Sequence, residues 1–174
     1  MNKPRARLLA AALAILACAP VAANAQPQGG DMAQRLLAAH NRARAVLGLP
    51  PLAWSDSLAA EARQWSESLA RRGAFTHSPD ALRHDHGENL FMGTAGAYSA
   101  EQMVGDFVAE RADFRPGRFP DVARDGEWEN VGHYTQLIWR GTTEMGCAIA
   151  TGGGWDYLTC RYAPAGNIDG ETVP

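Results

Sequence analysis

The sequence predicts an α+β domain. Three features point to it: apolar residues recur at helical spacing in three stretches that come first, and aromatic and β-branched runs gather near the C-terminus. The two kinds of segment also follow one another, rather than alternating as βαβ units would.

Residues 1–25 have the build of a cleaved export signal, with Lys3, Arg5 and Arg7 ahead of the apolar run LLAAALAILA, and then VAANA, where Ala23 and Ala25 form a small-residue cleavage pattern. The apolar run is too short to span a bilayer. A competing reading makes Cys18 a lipid-anchored cysteine, but the bulky Leu16 fits that less well than ANA fits ordinary cleavage. A linker over 26–32, containing QPQGG, would lead into a single domain over 33–174. Periodic Met32, Leu36, Leu37, Ala43, Val46 and Leu47 predict a first helix from Asp31, ended by the prolines of GLPP. A second helix is predicted over Asp56–Arg72, capped by Ser55, with Leu58, Ala62, Trp65 and Leu69 as one buried stripe. SAEQ, from Ser99, matches a capping box and opens a third helix through Met103, Phe107, Val108 and Glu110.

Residues 115–130 are polar and broken by Pro116, Gly117, Pro120 and Gly126, which predicts a long loop. HYTQLIW, MGCAIA and WDYLTCRY then predict three strands of an antiparallel meander. If the last two are symmetric about ATGGGWD, paired residue numbers sum to 307, so Ala150 faces Tyr157 and Cys147 faces Cys160. Opposed strand residues are close enough for a disulfide, which an oxidising compartment favours over two free thiols.

Charge narrows the partners. The export signal carries three of the 16 basic residues and no acidic one, so the mature chain has 13 basic against 19 acidic residues, a net −6. That balance argues against nucleic acid. No stretch after residue 26 has the length and apolarity of a membrane span, and no repeat is visible. The expected product is an acidic domain, secreted or periplasmic after cleavage near Ala25.

Side chains able to carry chemistry are few: His77 in FTHSP, His84 and His86 in RHDHGENLF, Glu88 in GENL, Glu110 on the third helix and His133 in GHYTQ. There is no GxSxG elbow and no HExxH helix. Two neutral imidazoles can bind a divalent metal such as zinc, while neighbouring carboxylates orient the rings, take protons from bound water or ligate directly. The residues alone leave open a structural alternative, in which His133 is a satisfied strand histidine and Glu110 a solvated helix residue paired with Arg111 or Arg115.

HNRARAVLGLPPLAW, GENLF, GHYTQLIW and YLTCRYAPAGN, in this order, resemble the signature stretches of the CAP superfamily of cysteine-rich secretory proteins, antigen 5 and pathogenesis-related proteins. The resemblance spans about residues 33–169. It implies a three-layer α-β-α sandwich with a small antiparallel sheet between helices, and a cleft holding two histidines and two glutamates. Matched residue by residue, these are His77, followed by Ser-Pro eleven positions before the GENL glutamate, then Glu88, Glu110 and His133. Phe107 stands where the family usually has tryptophan three residues before the second glutamate. His84 and His86 then fall in a spacer and are expected to be solvated, with Gly87 allowing a sharp turn that aims Glu88 inward while Asn89 bonds to nearby backbone. Trp139, Tyr157 and Tyr162 read as packing residues.

The resemblance implies a binding protein for a divalent metal, zinc by preference, or for a small or lipid ligand such as a sterol or fatty acid. Phe91, Met92, Phe114 and Phe119 are the candidates for lining an apolar groove. A hydrolase is the second reading, with Glu88 or Glu110 as general base at a metal-bound water, or with Ser78 or Thr135 as nucleophile. A structural or interaction module with a vestigial cleft is the third.

Overall fold

A computed structural model describes residues 28–174. The expected signal and its cleavage point lie outside the described residues. In chain order the elements are α1 (Gln28–Val46), β1 (Ala53–Trp54), α2 (Asp56–Arg72), β2 (Gly87–Thr94), α3 (Ala100–Ala109), β3 (Gly117–Arg118), α4 (Gly132–Leu137), β4 (Glu144–Gly152), β5 (Trp155–Ala163) and β6 (Thr172–Val173). α1 starts inside the stretch read as linker.

The main sheet has the order β1-β4-β5-β2. β4, β5 and β2 are antiparallel, and the two-residue β1 adds a parallel edge, so the sheet is mixed rather than wholly antiparallel. β4 and β5 pair in the register read from the turn, Ala150 opposite Tyr157 and Cys147 opposite Cys160, and the two cysteines form a disulfide. α2 covers one face, while α1, α3 and α4 cover the other, which makes the α-β-α sandwich.

Strand alternation sorts the core between these faces. On the α2 side Tyr157 and Leu90 pack against Trp65 and Leu69, and the predicted stripe Leu58, Ala62, Trp65 and Leu69 is buried throughout. On the other side Leu158, Cys160 and Tyr162 meet Leu36, Met103 and Phe107. Gly146 is required by close packing, because a Cβ there would lie 2.2 Å from the Ala59 backbone nitrogen on α2. α3 carries the predicted capping box, with Ser99 and Gln102 bonded reciprocally. Ser55 occupies the α2 N-cap position, but its hydroxyl pairs with Ser57 Oγ and caps no backbone N–H.

One predicted element is of the wrong kind. HYTQLIW begins as helix α4, not as a strand, and the third antiparallel strand is β2, which carries GENLF. A six-residue helix is marginal by itself. This one is held from outside at both ends. The Glu110 carboxylate accepts from the Tyr134 N–H at 3.0 Å, and the buried Arg44 guanidinium donates to the Leu137 and Trp139 carbonyls at 3.0 and 2.8 Å. These tertiary partners satisfy the terminal groups a short helix leaves open, and they override the strand preference of the sequence.

Candidate functional site

β2 is an edge strand, and its first residues distribute side chains to both sides of the sheet. Gly87 and Asn89 face α4, whereas Glu88 and Leu90 face α2. At Gly87 a Cβ would lie 2.1 Å from Gln136 Oε1, so this glycine permits close approach and makes no turn. The turn belongs to His84 and Asp85, both with positive φ (50° and 62°). Asn89 does bond to backbone, but to His133 O at 3.0 Å, across the domain. That bond ties the edge strand to the helix carrying the second imidazole.

His77 lies in the segment after α2, anchored where Trp65 Nε1 donates to Thr76 O at 3.1 Å. Its Nδ1 is 2.7 Å from Glu88 Oε1. Glu88 is sealed, with 1% of its side chain exposed, and also accepts from Ser78 N at 2.9 Å and Ser78 Oγ at 2.8 Å. Burial alone pushes this carboxyl up, but the bonds from His77 and Ser78 and the charge of Arg161 outweigh it, leaving Glu88 below the ordinary carboxylate range.

His133 is placed by α4. Its Nδ1 is 2.5 Å from Glu110 Oε1, and its ring stacks on Phe107 at a centroid distance of 5.0 Å. Phe107 thus fills the position where tryptophan was expected. Glu110 sits one residue past α3, in the 3₁₀ turn Glu110–Ala112, and not within the helix itself. It pairs with neither Arg111 nor Arg115. His77, Glu88 and His133 line one open cleft of about 780 Å³, with Glu110 behind the His133 ring.

Because a carboxylate only accepts, each Nδ1 bonded to one carries the proton, and Nε2 remains the lone-pair atom of each neutral ring. Among the described residues there is no cluster of three or more His, Cys, Asp or Glu side chains suited to a metal. The donor set these residues could offer a divalent ion is at most a pair of imidazoles, with other positions left for water or a ligand.

The model of the CAP, or Cysteine-rich secretory protein, family matches residues 37–162. The chain belongs to this family. This CAP domain is 37% identical over 135 residues to the Pathogenesis-related protein PR-1 type of Sambucus nigra, covering 76% of each chain. It is 34% identical over 139 residues to the Golgi-associated plant pathogenesis-related protein 1 of Homo sapiens, covering 78% of this chain and 84% of that one. Among solved structures, the crystal structure of NaASP2 with Zn²⁺ superposes with a TM-score of 0.69 at 25% identity, covering 80% of this chain and 83% of the other. BmVAL-1 superposes at 0.64, also at 25% identity, over 87% and 84%.

Several expectations for the CAP domain need correction. His84 is exposed as expected, but His86 lines the cleft, with Nδ1 2.9 Å from Glu61 Oε2. Phe91, Phe114 and Phe119 are core residues, packed on Tyr98, on Tyr134, and on Trp128 with Trp139. These three are packed away, so the phenylalanines do not supply the apolar surface expected for a sterol or fatty acid, while Met92, the fourth candidate, is exposed. Neither hydroxyl is placed as a nucleophile: Thr135 is buried and bonds to Gly132 O and Asn167 Oδ1, and Ser78 donates to Glu88 rather than to an imidazole. Among the described residues no helix is long and apolar enough to cross a membrane.

Sequence reading missed Arg161, Gln136 and Asn167. Arg161 is the cross-strand neighbour of Glu88 on β5. The β2–β5 register that reveals this is set by no short turn, and so leaves no local mark.

Proposed function

We propose that the chain is an exported CAP-domain binding protein whose cleft takes up a divalent metal, zinc by preference, between Nε2 of His77 and Nε2 of His133. The observation that carries this reading is the repeated imidazole–carboxylate pair, Glu88 on His77 and Glu110 on His133, each through Nδ1. Metal-binding histidines are characteristically held this way, since the outer bond fixes the tautomer and raises the basicity of the free nitrogen. The Zn²⁺ in the NaASP2 crystal structure supports the choice of metal. Export is supported by the signal-like composition of residues 1–25 and by the family's description as secretory.

Both carboxylates are spent on holding rings and backbone N–H groups, which favours binding over general-base catalysis. A bound ion would supply Lewis acidity to a small ligand entering the cleft. The chain's own residues fix the rings and leave the cleft open to solvent. Equilibrium competition against a chromophoric zinc chelator tests the proposal. The wild type should withdraw about one zinc per chain, and the His77→Ala/His133→Ala double variant none. Equal uptake by both would rule this cleft out.

A further inference from the structure

Beneath His77 lies a buried polar chain absent from the His133 side. Arg161 exposes 1% of its side chain, as does Glu88 opposite it in the sheet. Its Nη2 donates to Ser78 Oγ at 3.0 Å, Ser78 Oγ donates to Glu88 Oε2, and Arg161 Nη1 stands 3.3 Å from the same Oε2. Nη1 makes no hydrogen bond at that contact and acts on Glu88 as a charge. Glu110 has no such cation among its described partners, which are His133 Nδ1 and the Tyr134 N–H.

A buried ion pair brings little net stability compared with a well-packed apolar pair of the same volume, so stability alone does not account for a guanidinium here. Its geometric effect is specific. Glu88 Oε1 receives His77 and the Ser78 N–H, while Oε2 receives the Ser78 hydroxyl and faces Arg161, so both oxygens are pinned and the carboxylate cannot rotate away from the ring. His77 itself is 53% exposed and has little packing to orient it. We propose that Arg161, acting through Ser78 and Glu88, is the positioning residue that holds the His77 ring in its Nδ1–H tautomer with Nε2 free for a ligand, whereas His133 is oriented by packing on Phe107 and needs no counterpart. This rests on the metal-cleft reading only in naming the ligand.

The test is long-range ¹H–¹⁵N correlation of the imidazoles, without metal, in the wild type, Arg161→Met, Arg161→Lys and Ser78→Ala, followed by zinc affinity. His77 should be a single Nδ1–H tautomer in the wild type. In Arg161→Met it should leave that state while His133 in the same sample keeps its own, which also shows that the domain is folded. Ser78→Ala should give the same loss in milder form, and Arg161→Lys, which keeps the charge without the fork, should restore part of it. Zinc affinity should fall about tenfold to a hundredfold in Arg161→Met. An unchanged His77 tautomer in both Arg161→Met and Ser78→Ala would overturn the proposal. Because the spectra are taken without metal, failure of the zinc reading alone would leave the tautomer result standing.

Discussion

His40 is fully buried between α1 and the sheet, with Nδ1 2.9 Å from Leu36 O and Nε2 2.8 Å from Tyr162 Oη. His77 and His133 keep 53% and 30% of their side chains exposed and, among the described residues, are bonded through Nδ1 alone. One ring type thus does two jobs. Where both nitrogens are occupied by groups of the fold, the histidine is part of the core. Where a carboxylate holds one nitrogen at the cleft, as for His77, His133 and also His86 on Glu61, the ring is not locked into the core, and the proposed metal reading uses the first two of these. Core and cleft should therefore separate by experiment, the first governing stability and the second binding.

The largest effect is expected at Arg44, the core cation that ties α1 to α4 and whose guanidinium also reaches Pro50 O and Thr142 O. Arg44→Met leaves these carbonyls without donors and should cost about 4 kcal/mol. It would be read as a lower denaturation midpoint at unchanged slope. A loss below about 1 kcal/mol would mean that α4 is held by something else.

His40 gives the next effect, through pH. Burial, aided by the charge of Arg44, lowers its pKa to about 4 from an ordinary 6.5. Between these values the unfolded chain holds the proton and the folded one does not, so the contribution is full above about 6.5 and is lost as pH falls toward 4. It amounts to about 3 kcal/mol. His40→Gln, which keeps one donor and one acceptor, should lose less stability than the wild type over this window. Parallel curves for the two proteins would contradict the assignment.

Gly87→Ala comes third. Its methyl would meet Gln136, whose amide is committed to Gly166 N and Thr142 Oγ1. A cost of about 2 kcal/mol is expected in thermal unfolding, whereas a neutral outcome would show that Gln136 can swing away. The smallest effect should come from His77→Ala, about 1 kcal/mol, because half of the ring is already in water and the sealed Glu88 keeps its bonds from Ser78 and the charge of Arg161. A large loss of stability there would erase the distinction between core and cleft histidines.

Legibility in the sequence followed the range of the interactions. The α2 stripe, the α3 capping box and the Cys147–Cys160 register are local patterns, and each was readable. α4 was not, because the groups that make HYTQLIW helical, Glu110 and Arg44, lie 24 and 93 positions from the atoms they bind. The membership of His77 and Glu88 in the cleft followed from a family spacing of eleven residues, whereas which carboxylate holds which ring was not legible. Arg161 could not be found, since its relation to Glu88 exists only through strand pairing across 73 residues of chain. His86 was misjudged for a similar reason, as its partner Glu61 sits on a helix 25 positions earlier.

The most direct test of the central claim is anomalous diffraction at the zinc edge from crystals of the wild type grown with zinc. A single strong peak within coordination distance, about 2.1 Å, of Nε2 of both His77 and His133 is the predicted result. A peak bound elsewhere, or none in that cleft with both rings well ordered, would contradict it.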